Sequence, residues 1–349
     1  MTIREITSEQ TDDLLARGLR RRWYALCPSR FVTADKPLGI RRAGEQLVLW
    51  RDADGKVCVQ DDRCPHRGAA LSVGHHHGDR LVCAYHHVEI LNDGTVAAVP
   101  GMPDCPLVGE KLVRTFPAIE FRDAVFAYFG DAAQPDPPPF LPPEQLRSEA
   151  WTTFLAYAEW ECPYRRVVDN LLDPMHAAFL HTGTETMAKG KRQARMRLRD
   201  TTHGFHFEKD DQKNVDFDAV EFFDDGGQFH FNLEIPYPAT GSPGGSFWII
   251  CYCTPIDDTS TAFFAWRSRK LNGWQRDVWR FLYKNRWEER HYFPMIQDRD
   301  LLEAIRDDAE AFENLYQHDT ALVRVRRQWR EQAERQLAER ATDEVGERQ

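Results

Sequence analysis

The densest group of potential metal ligands in the sequence lies between residues 64 and 86. Cys64 and His66 are separated by one residue, Cys83 and His86 by two, and sixteen residues lie between the two pairs. Two thiolates and two neutral imidazoles on two short loops can hold a [2Fe–2S] cluster, with the thiolates on one iron and the imidazoles on the other. Zinc can use the same ligand types, but zinc sites more often have two to four residues within both pairs. The spacing therefore predicts the iron–sulfur cluster.

A second group of polar residues follows an apolar pattern near residue 170. Asn170, Asp173 and His176 are each three residues apart, which places them on one side of a helix. The five-residue step from His176 to His181 is about 140° around an ideal helix, so both imidazoles reach one metal only if the helix ends or bulges between them. Two histidines at this spacing are, by themselves, more often ordinary core or surface residues.

Composition sets the broad class of the protein. The chain has 349 residues, of which 42% are hydrophobic, which is enough for about two domains with their own cores. A net charge of −10 argues against a general role in binding nucleic acid. The eight cysteines lack the spacing of a disulfide framework, the start lacks a signal-peptide pattern, and the strongly apolar run 247–253 is too short to span a bilayer. We expect a cytoplasmic protein that binds no membrane.

The pattern of elements predicts an α+β chain with five segments. A short helix over 8–22 lies in an N-terminal segment, residues 1–22, and the many short β segments of residues 23–130 predict an all-β domain. Six prolines between residues 135 and 143 predict a stiff linker over 131–148. A domain of long strands and helices follows over 149–315, and a charged helical tail over 316–349.

Both motifs resemble those of one family. The stretch from Cys64 to Gly74 and from Gly78 to Cys83 is similar to the Rieske signature of ring-hydroxylating oxygenases, and 170–181 resembles their mononuclear iron motif, N-x-x-D-x-x-H-x₄-H. One departure is His87-Val88, where the family usually has Gly or Asn followed by Trp. The C-x-x-H spacing still selects His86 as the ligand, with His87 as a rival if the loop slips by one residue.

The resemblance implies an all-β Rieske domain followed by a helix-grip catalytic domain, an antiparallel sheet with helices. It implies two cofactors, a Rieske [2Fe–2S] cluster and mononuclear Fe(II). His176 and His181 match two iron ligands, and the third matches Asp298 best, with Asp300 as the alternative. Asp173 matches the acid that bridges the two metal centres of neighbouring subunits, and Asn170 matches a residue close to the iron.

The same resemblance implies the reaction and its partners. The family's terminal oxygenase subunits receive electrons from an NAD(P)H-dependent reductase or a ferredoxin, use O₂ to hydroxylate an aromatic compound, and form head-to-tail homotrimers. O- or N-demethylation is the alternative reaction. A Rieske electron carrier without oxygenase activity is a distant alternative, because it would not need the second metal motif.

Substrate-contacting residues are the least determined part of the sequence. An apolar pocket is expected between the sheet and the iron helix. Its candidate lining residues are Phe179, Asn232, Trp248, Phe264 and Phe293. Ordinary core packing is the alternative for each aromatic residue. We interpret the basic runs 20–22 and 189–195 as solvated, with an acidic partner surface as the alternative for the first and a carboxylated aromatic compound or an acidic ferredoxin as the alternative for the second. We interpret the histidines 75–77 as an exposed turn, with metal binding as the alternative.

Overall fold

The computed structural model describes residues 6–131, 134–184, 187, 189–237 and 245–346. Parts of four predicted segments lie outside these residues, namely the first five residues, two linker residues, residues 185, 186, 188 and 238–244 of the segment 149–315, and the last three residues of the tail. None of the helices in the described part has the length and apolar character that a membrane crossing requires.

The first part of the chain is a β domain preceded by one helix, α1 (Ser8–Arg17). Its strands form three antiparallel sheets with the orders β1-β10-β9, β2-β3-β4 and β5-β6-β7-β8. The strands are β1 (Arg22–Pro28), β2 (Leu38–Arg42), β3 (Glu45–Arg51), β4 (Val57–Asp61), β5 (His75–His77), β6 (Arg80–Val82), β7 (Glu89–Leu91), β8 (Val96–Ala98), β9 (Ala118–Phe121) and β10 (Ala124–Phe129). The predicted all-β domain is confirmed.

The predicted first helix was too long, and the basic run after it is not solvated. Helix α1 ends at Arg17, and Gly18 follows with a φ of 89° that does not continue a helix. Arg22 is fully buried and pairs with Asp224 at 2.9 Å. The run therefore connects the β domain to later parts of the chain. The histidines 75–77 form an edge strand rather than a turn.

The proline-rich segment packs on the first domain. Residues 134–143 contain no helix or strand, and the short helix α2 (Glu144–Arg147) follows. The Trp23 indole N–H donates to the carbonyl of Pro138 at 2.9 Å, and the ring of Phe140 lies 4.8 Å from that of Phe126. These contacts hold the linker in place.

The second domain is built on one antiparallel sheet of seven strands in the order β11-β17-β16-β15-β14-β13-β12. Its strands are β11 (Trp151–Trp160), β12 (Met196–Thr201), β13 (Gly204–Lys209), β14 (Ala219–Asp224), β15 (Phe229–Tyr237), β16 (Gly245–Pro255) and β17 (Thr261–Lys270). Its helices are α3 (Tyr164–Leu171), α4 (Ala177–Leu180), α5 (Gly273–Leu282), α6 (Glu288–Glu303) and α7 (Thr320–Gly346), and a π-helical turn (Tyr283–Trp287) joins α5 to α6. The predicted sheet with helices is confirmed.

Both faces of this sheet are buried. On one face, Tyr252, Phe264 and Trp266 pack against Trp23 and Phe126 of the β domain. On the other face, alternate residues of the same strands turn toward α3 and α6. A sheet covered on both faces has apolar residues at successive positions, which removes the simple alternation of half-buried strands.

Two glycine turns in the β domain give a matched test of local geometry. Gly94 has a φ of 90°, and a Cβ there would lie 2.0 Å from the carbonyl oxygen of Val113, whereas Gly55, with a φ of 77°, has open space around it. We expect Gly94→Ala to lower the unfolding free energy by about 3 kcal/mol or more, because the neighbouring backbone must move. Gly55→Ala should cost about 1 kcal/mol, the strain of a left-handed alanine. Equal unfolding midpoints for the two variants would contradict this prediction.

Candidate functional site

Two loops of the β domain present the first set of predicted ligands. Cys64 and Cys83 are buried and form no disulfide, whereas His66 and His86 lie at the exposed tips of their loops. The two imidazole rings are 4.6 Å apart between centroids. Buried thiols behind paired, accessible imidazoles suit a cluster whose histidine-bound iron faces outward.

The two loops have the same backbone hydrogen bonds. The Cys64 N–H donates to the carbonyl of Ala69 at 2.8 Å and the Gly68 N–H to that of Cys64 at 2.9 Å. In the second loop, the Cys83 N–H donates to Val88 and the His87 N–H to Cys83, both at 3.0 Å. The sequence therefore folds locally into one turn that is used twice.

His87 occupies the position of Gly68 in this comparison. Both residues have left-handed backbone, with φ of 56° and 73°. This conformation favours Gly or Asn, which explains why the family usually has these residues here. The His87 ring lies 6.0 Å from that of His75, whereas His86 faces His66. The departure from the family pattern therefore places a histidine beside the ligand loop without displacing His86.

The second set of predicted ligands lies where a helix is interrupted. Helix α3 ends at Leu171, before Pro174. The prediction that Asn170, Asp173 and His176 share one continuous helix is therefore wrong. The short α4 then begins after His176 and ends before His181, whose ψ of 34° is outside the helical range. The helix therefore ends between the two histidines, which was the condition for both imidazoles to reach one metal.

Asp298 of α6 completes this group. Its Oδ1 lies 3.5 Å from Nε2 of both His176 and His181, and one ligand atom from each of the three residues falls within 4.8 Å of the others. The side chain of Asn170 donates to the same Oδ1 at 3.3 Å. The alternative ligand, Asp300, is exposed and pairs with Arg299. The structure thus brings together Asp298 and both histidines, and leaves Asp300 outside the group.

Hydrogen bonds around His181 fix its tautomer. Gln297 donates its Nε2 to the carbonyl of Leu180 at 3.0 Å, so its Oε1 is the atom that accepts from the Nδ1–H of His181 at 3.1 Å. His181 Nε2 then carries a lone pair, is buried and has no hydrogen-bond partner among the described residues. The part that Gln297 plays in orienting His181 depends on contacts between distant parts of the chain, so it is visible only in the structure.

These features fit a divalent iron. Two neutral imidazoles and one carboxylate are the donor set of non-heme Fe(II) sites. Burial lowers the pKa of His176 and of His181 to about 4, which keeps both rings neutral and able to bind a metal. Burial also raises the pKa of Asp298 to about 7 in the metal-free protein. A cation bound here would compensate the cost of that buried charge.

Asp173 lies at the outer side of this group. Its Oδ1 accepts from the N–H of Met175 at 2.8 Å, and its Oδ2 lies 3.9 Å from His176 Nδ1, an atom that is buried without a hydrogen-bond partner in the described chain. The Asp173 side chain is 35% exposed. One carboxylate therefore borders a candidate iron ligand on one side and solvent on the other.

An apolar cavity of about 600 Å³ opens above the three residues. It is bounded by α6, the segment around α4, and strands β15, β16 and β17. Its lining includes Leu233, Ile235, Phe247, Ile249, Cys251, Phe263, Ala265, Arg267, His291, Phe293 and Asp298. The cavity and the candidate metal ligands form one site.

Comparison with known proteins decides the family. The family described as "Rieske [2Fe-2S] domain" matches residues 22–117, and "Vanillate O-demethylase oxygenase C-terminal domain" matches residues 160–335, about half of the chain. The chain belongs to the Rieske oxygenase family. The predicted family and cofactor types, a Rieske cluster and mononuclear iron, are thereby confirmed.

Relatives within this family have different reactions. The chain is 31% identical over 162 residues to the vanillate O-demethylase oxygenase subunit of a Pseudomonas species, covering 46% of this chain and 45% of that protein. It is 27% identical over 291 residues to the phthalate 4,5-dioxygenase oxygenase subunit of Pseudomonas putida, covering 77% and 64%. The chain spans about half the length of several curated relatives that it matches.

Solved structures share the Rieske oxygenase fold. The oxygenase in a reduced oxygenase–ferredoxin complex of carbazole 1,9a-dioxygenase has a TM-score of 0.72 and 21% identity, with 93% of this chain and 91% of that chain covered. Dicamba monooxygenase bound to dicamba has a TM-score of 0.70 and 21% identity, with coverages of 92% and 99%. These comparisons support the fold alone.

The pocket candidates of this family member are mostly on the wrong face. Phe293 lines the cavity. Asn232, Trp248 and Phe264 are paired in register with Ile250, Ser268 and Tyr252, on the face toward the β domain, while their chain neighbours line the cavity. Asn232 donates to Glu221 at 3.0 Å instead of facing a ligand. Phe179 is 53% exposed under the guanidinium of Arg192 and does not line the cavity.

Proposed function

We propose that this chain is the terminal oxygenase component of a Rieske oxygenase system. It would use O₂ and electrons from a reductase or ferredoxin, ultimately from NAD(P)H, to hydroxylate an aromatic compound. The observation that carries this proposal is the group of His176, His181 and Asp298 at the wall of an apolar cavity large enough for an aromatic ring. For the domains we propose the boundaries predicted from the sequence, and for the location the cytoplasm.

Each part of the site has a distinct task in this proposal. Cys64, Cys83, His66 and His86 would hold the cluster, and His176, His181 and Asp298 the iron. The cluster supplies electrons one at a time, and the iron supplies the site of O₂ activation. Gln297 keeps Nε2 of His181 free for the metal, Asn170 orients Asp298, and the apolar walls exclude water from the substrate.

The exposed edges of both centres support assembly of the chain with copies of itself. The imidazoles of His66 and His86 are accessible, with Tyr85 58% exposed beside them. On the other domain, Asp173 is partly exposed, and Phe312 and Tyr316 are 70% and 66% exposed on a loop that approaches it. We propose a head-to-tail homotrimer in which the cluster of one subunit approaches Asp173 of the next.

O- or N-demethylation is the second candidate reaction. It is favoured by the family description that matches residues 160–335, which names an O-demethylase. The two candidates differ in product, since demethylation releases formaldehyde and dihydroxylation of a ring gives a cis-diol. Product analysis with an NADH-dependent reductase, a ferredoxin and methoxy-substituted or unsubstituted aromatic acids therefore separates them.

Metal and sulfide analysis tests the proposal before any substrate is known. Protein purified without oxygen should contain roughly three irons and two sulfides per chain, and dithionite should give the low average g value of a cluster with mixed ligands. Two irons, with no uptake of added Fe(II), would reduce the chain to an electron carrier. Zinc without sulfide would overturn the proposal.

A further inference from the structure

One buried arginine lines the cavity without an acidic partner. Arg267 lies on β17, is 2% exposed, and contributes to the cavity wall. No carboxylate of the described residues lies within 4.0 Å of its guanidinium nitrogens. Burial of an unpaired charge is unfavourable, so such a residue is kept for a reason other than stability.

Three other buried arginines of this chain show the usual arrangement. Arg20, Arg22 and Arg42 are each at most 9% exposed. They pair with Glu45, Asp224 and Glu159 at 3.1, 2.9 and 2.7 Å. Arg267 differs from these three in that its counter-charge is missing from the described chain.

The contacts of Arg267 are all with uncharged groups. Its Nη2 donates to the carbonyl of His291 and contacts the Met295 sulfur, both at 2.7 Å, and its Nη1 donates to the Tyr283 hydroxyl at 3.3 Å. The guanidinium also lies 4.7 Å over the ring of Tyr292. These contacts hold the side chain in one orientation, and they leave Nε and one Nη1 hydrogen without a partner among the described residues.

A structural role alone does not account for this residue. Hydrogen bonds to a carbonyl and a hydroxyl anchor α6 to β17, but a neutral side chain could make such bonds without the cost of a buried charge. Asp298 does not act as the counter-ion, because its carboxylate is bonded by Asn170 and adjoins the two histidines. The positive charge of Arg267 is therefore available to a negatively charged group that enters the cavity.

The position of Arg267 relative to the candidate iron ligands would set the orientation of a molecule whose charged end binds this arginine. Met295, which contacts the guanidinium, precedes Asp298 by three residues on α6, so the two side chains lie on one face about 4.5 Å apart along the helix axis. His291, one turn earlier again, lines the same wall with its Nδ1 unpaired. An anionic group at this end of the cavity would direct the rest of an aromatic ring toward His176, His181 and Asp298.

We propose that Arg267 binds an oxyanion of the substrate, a carboxylate or a sulfonate attached to the aromatic ring. This inference rests on the proposed function for the identity of the cavity as a substrate site, and it adds the chemical class of the substrate. A guanidinium matches such oxyanions through two parallel N–H···O bonds. The apolar walls would contact the ring.

Binding of three matched probes to the wild-type protein tests the proposal without turnover. The probes are 4-methoxybenzoate, 4-methoxybenzenesulfonate and the neutral isostere 4-methoxybenzamide, measured by calorimetry on the oxidised protein. One of the two anions should bind at least about tenfold more tightly than the amide, because it gains a charged hydrogen bond. The tighter anion identifies the oxyanion. Equal affinities for all three probes, or no binding of either anion, would overturn the proposal.

Variants of Arg267 and Arg290 show which of the two arginines causes the preference for the anionic probe. Arg267→Met should weaken binding of the preferred anion by about 10- to 100-fold and leave the amide within about threefold, and Arg267→Lys should recover part of the loss. Arg290→Met is the matched control, because Arg290 is an exposed arginine at the same cavity. It should change anion affinity by less than about threefold. If Arg290→Met removed the preference and Arg267→Met did not, the assignment would be wrong.

Two precautions keep the result interpretable. The ligand-induced rise in unfolding midpoint of each variant is compared with the same variant without ligand, so that a change in stability does not imitate a loss of binding. Anion binding needs no electrons and no O₂. Selective binding without any turnover would therefore count against the proposed oxygenase function alone, and turnover of only neutral aromatics would count against the role of Arg267 alone.

Discussion

Replacement of Asp173 by alanine should leave both metal centres intact and lower turnover by about 10- to 100-fold, the usual cost of losing a carboxylate that orients a metal-bound histidine. The Asp173 carboxylate lies 3.9 Å from Nδ1 of His176 and is held by the N–H of Met175. It is also open to solvent, where the proposed neighbouring subunit would place His86. Loss of the carboxylate would remove the bridge and leave the ligands in place.

The informative measurement is the rate at which the reduced cluster is reoxidised by O₂ with substrate bound. In Asp173→Ala this rate should fall in parallel with turnover, while iron content and the spectrum of the reduced cluster stay unchanged. Asp319→Ala serves as control, since Asp319 is a nearby acid whose carboxylate caps a short turn by accepting from the N–H of Tyr316. A variant of Asp173 that reoxidised at the wild-type rate would refute the bridging role.

The Asp298→Ala variant should lose the mononuclear iron, with iron content falling from roughly three to roughly two per chain and turnover falling below detection. Asp298 contributes the only carboxylate oxygen that meets both histidines among the described residues. Removal of one ligand from a three-residue site leaves two imidazoles, which hold a labile divalent cation weakly. The sulfide content should not change, because the cluster ligands lie in the other domain.

Asp300→Ala is the matched control, two residues further along α6. Its carboxylate is exposed and paired with Arg299, so the iron content should remain at the wild-type value. Atomic absorption and sulfide assays on both variants suffice for the comparison. Loss of iron from Asp300→Ala together with retention in Asp298→Ala would reverse the assignment of the third ligand.

The two metal motifs could be predicted from the sequence because each is local. Cys64 and His66, or Cys83 and His86, lie within one turn, and the spacing itself determines which side chains converge. The end of a helix just before His181 was also predictable, since a helix that continued through both histidines would turn their imidazoles apart. Asp298 is different, because it lies more than one hundred residues away and only the resemblance to a family suggested it.

The faces of the strands could not be predicted, for a physical reason. Trp248, Ile250 and Tyr252 face the β domain, while Ile249 and Cys251 face the cavity, and residues on both sides are apolar because both faces are covered. Without an alternation of polar and apolar residues, an error of one position reverses every assignment. The one local signal was Arg267, a charged residue near the end of the apolar strand β17, and its significance depends on a missing partner that sequence does not display.

The catalytic sheet, which is covered on both faces, also determines where proteins of this family can be separated into modules. The two matched segments, residues 22–117 and 160–335, suggest separable modules. However, the outer face of the catalytic sheet is covered largely by residues such as Phe126 and Tyr128 of β10, which lie between these two segments. Its apolar side chains, which include Tyr252, Phe264 and Trp266, would face solvent if the whole β domain were removed. The unit that can be recombined in evolution or in engineering is therefore larger than either segment. Chimeras that exchange the cluster domain must carry with it the matching outer face of the catalytic sheet.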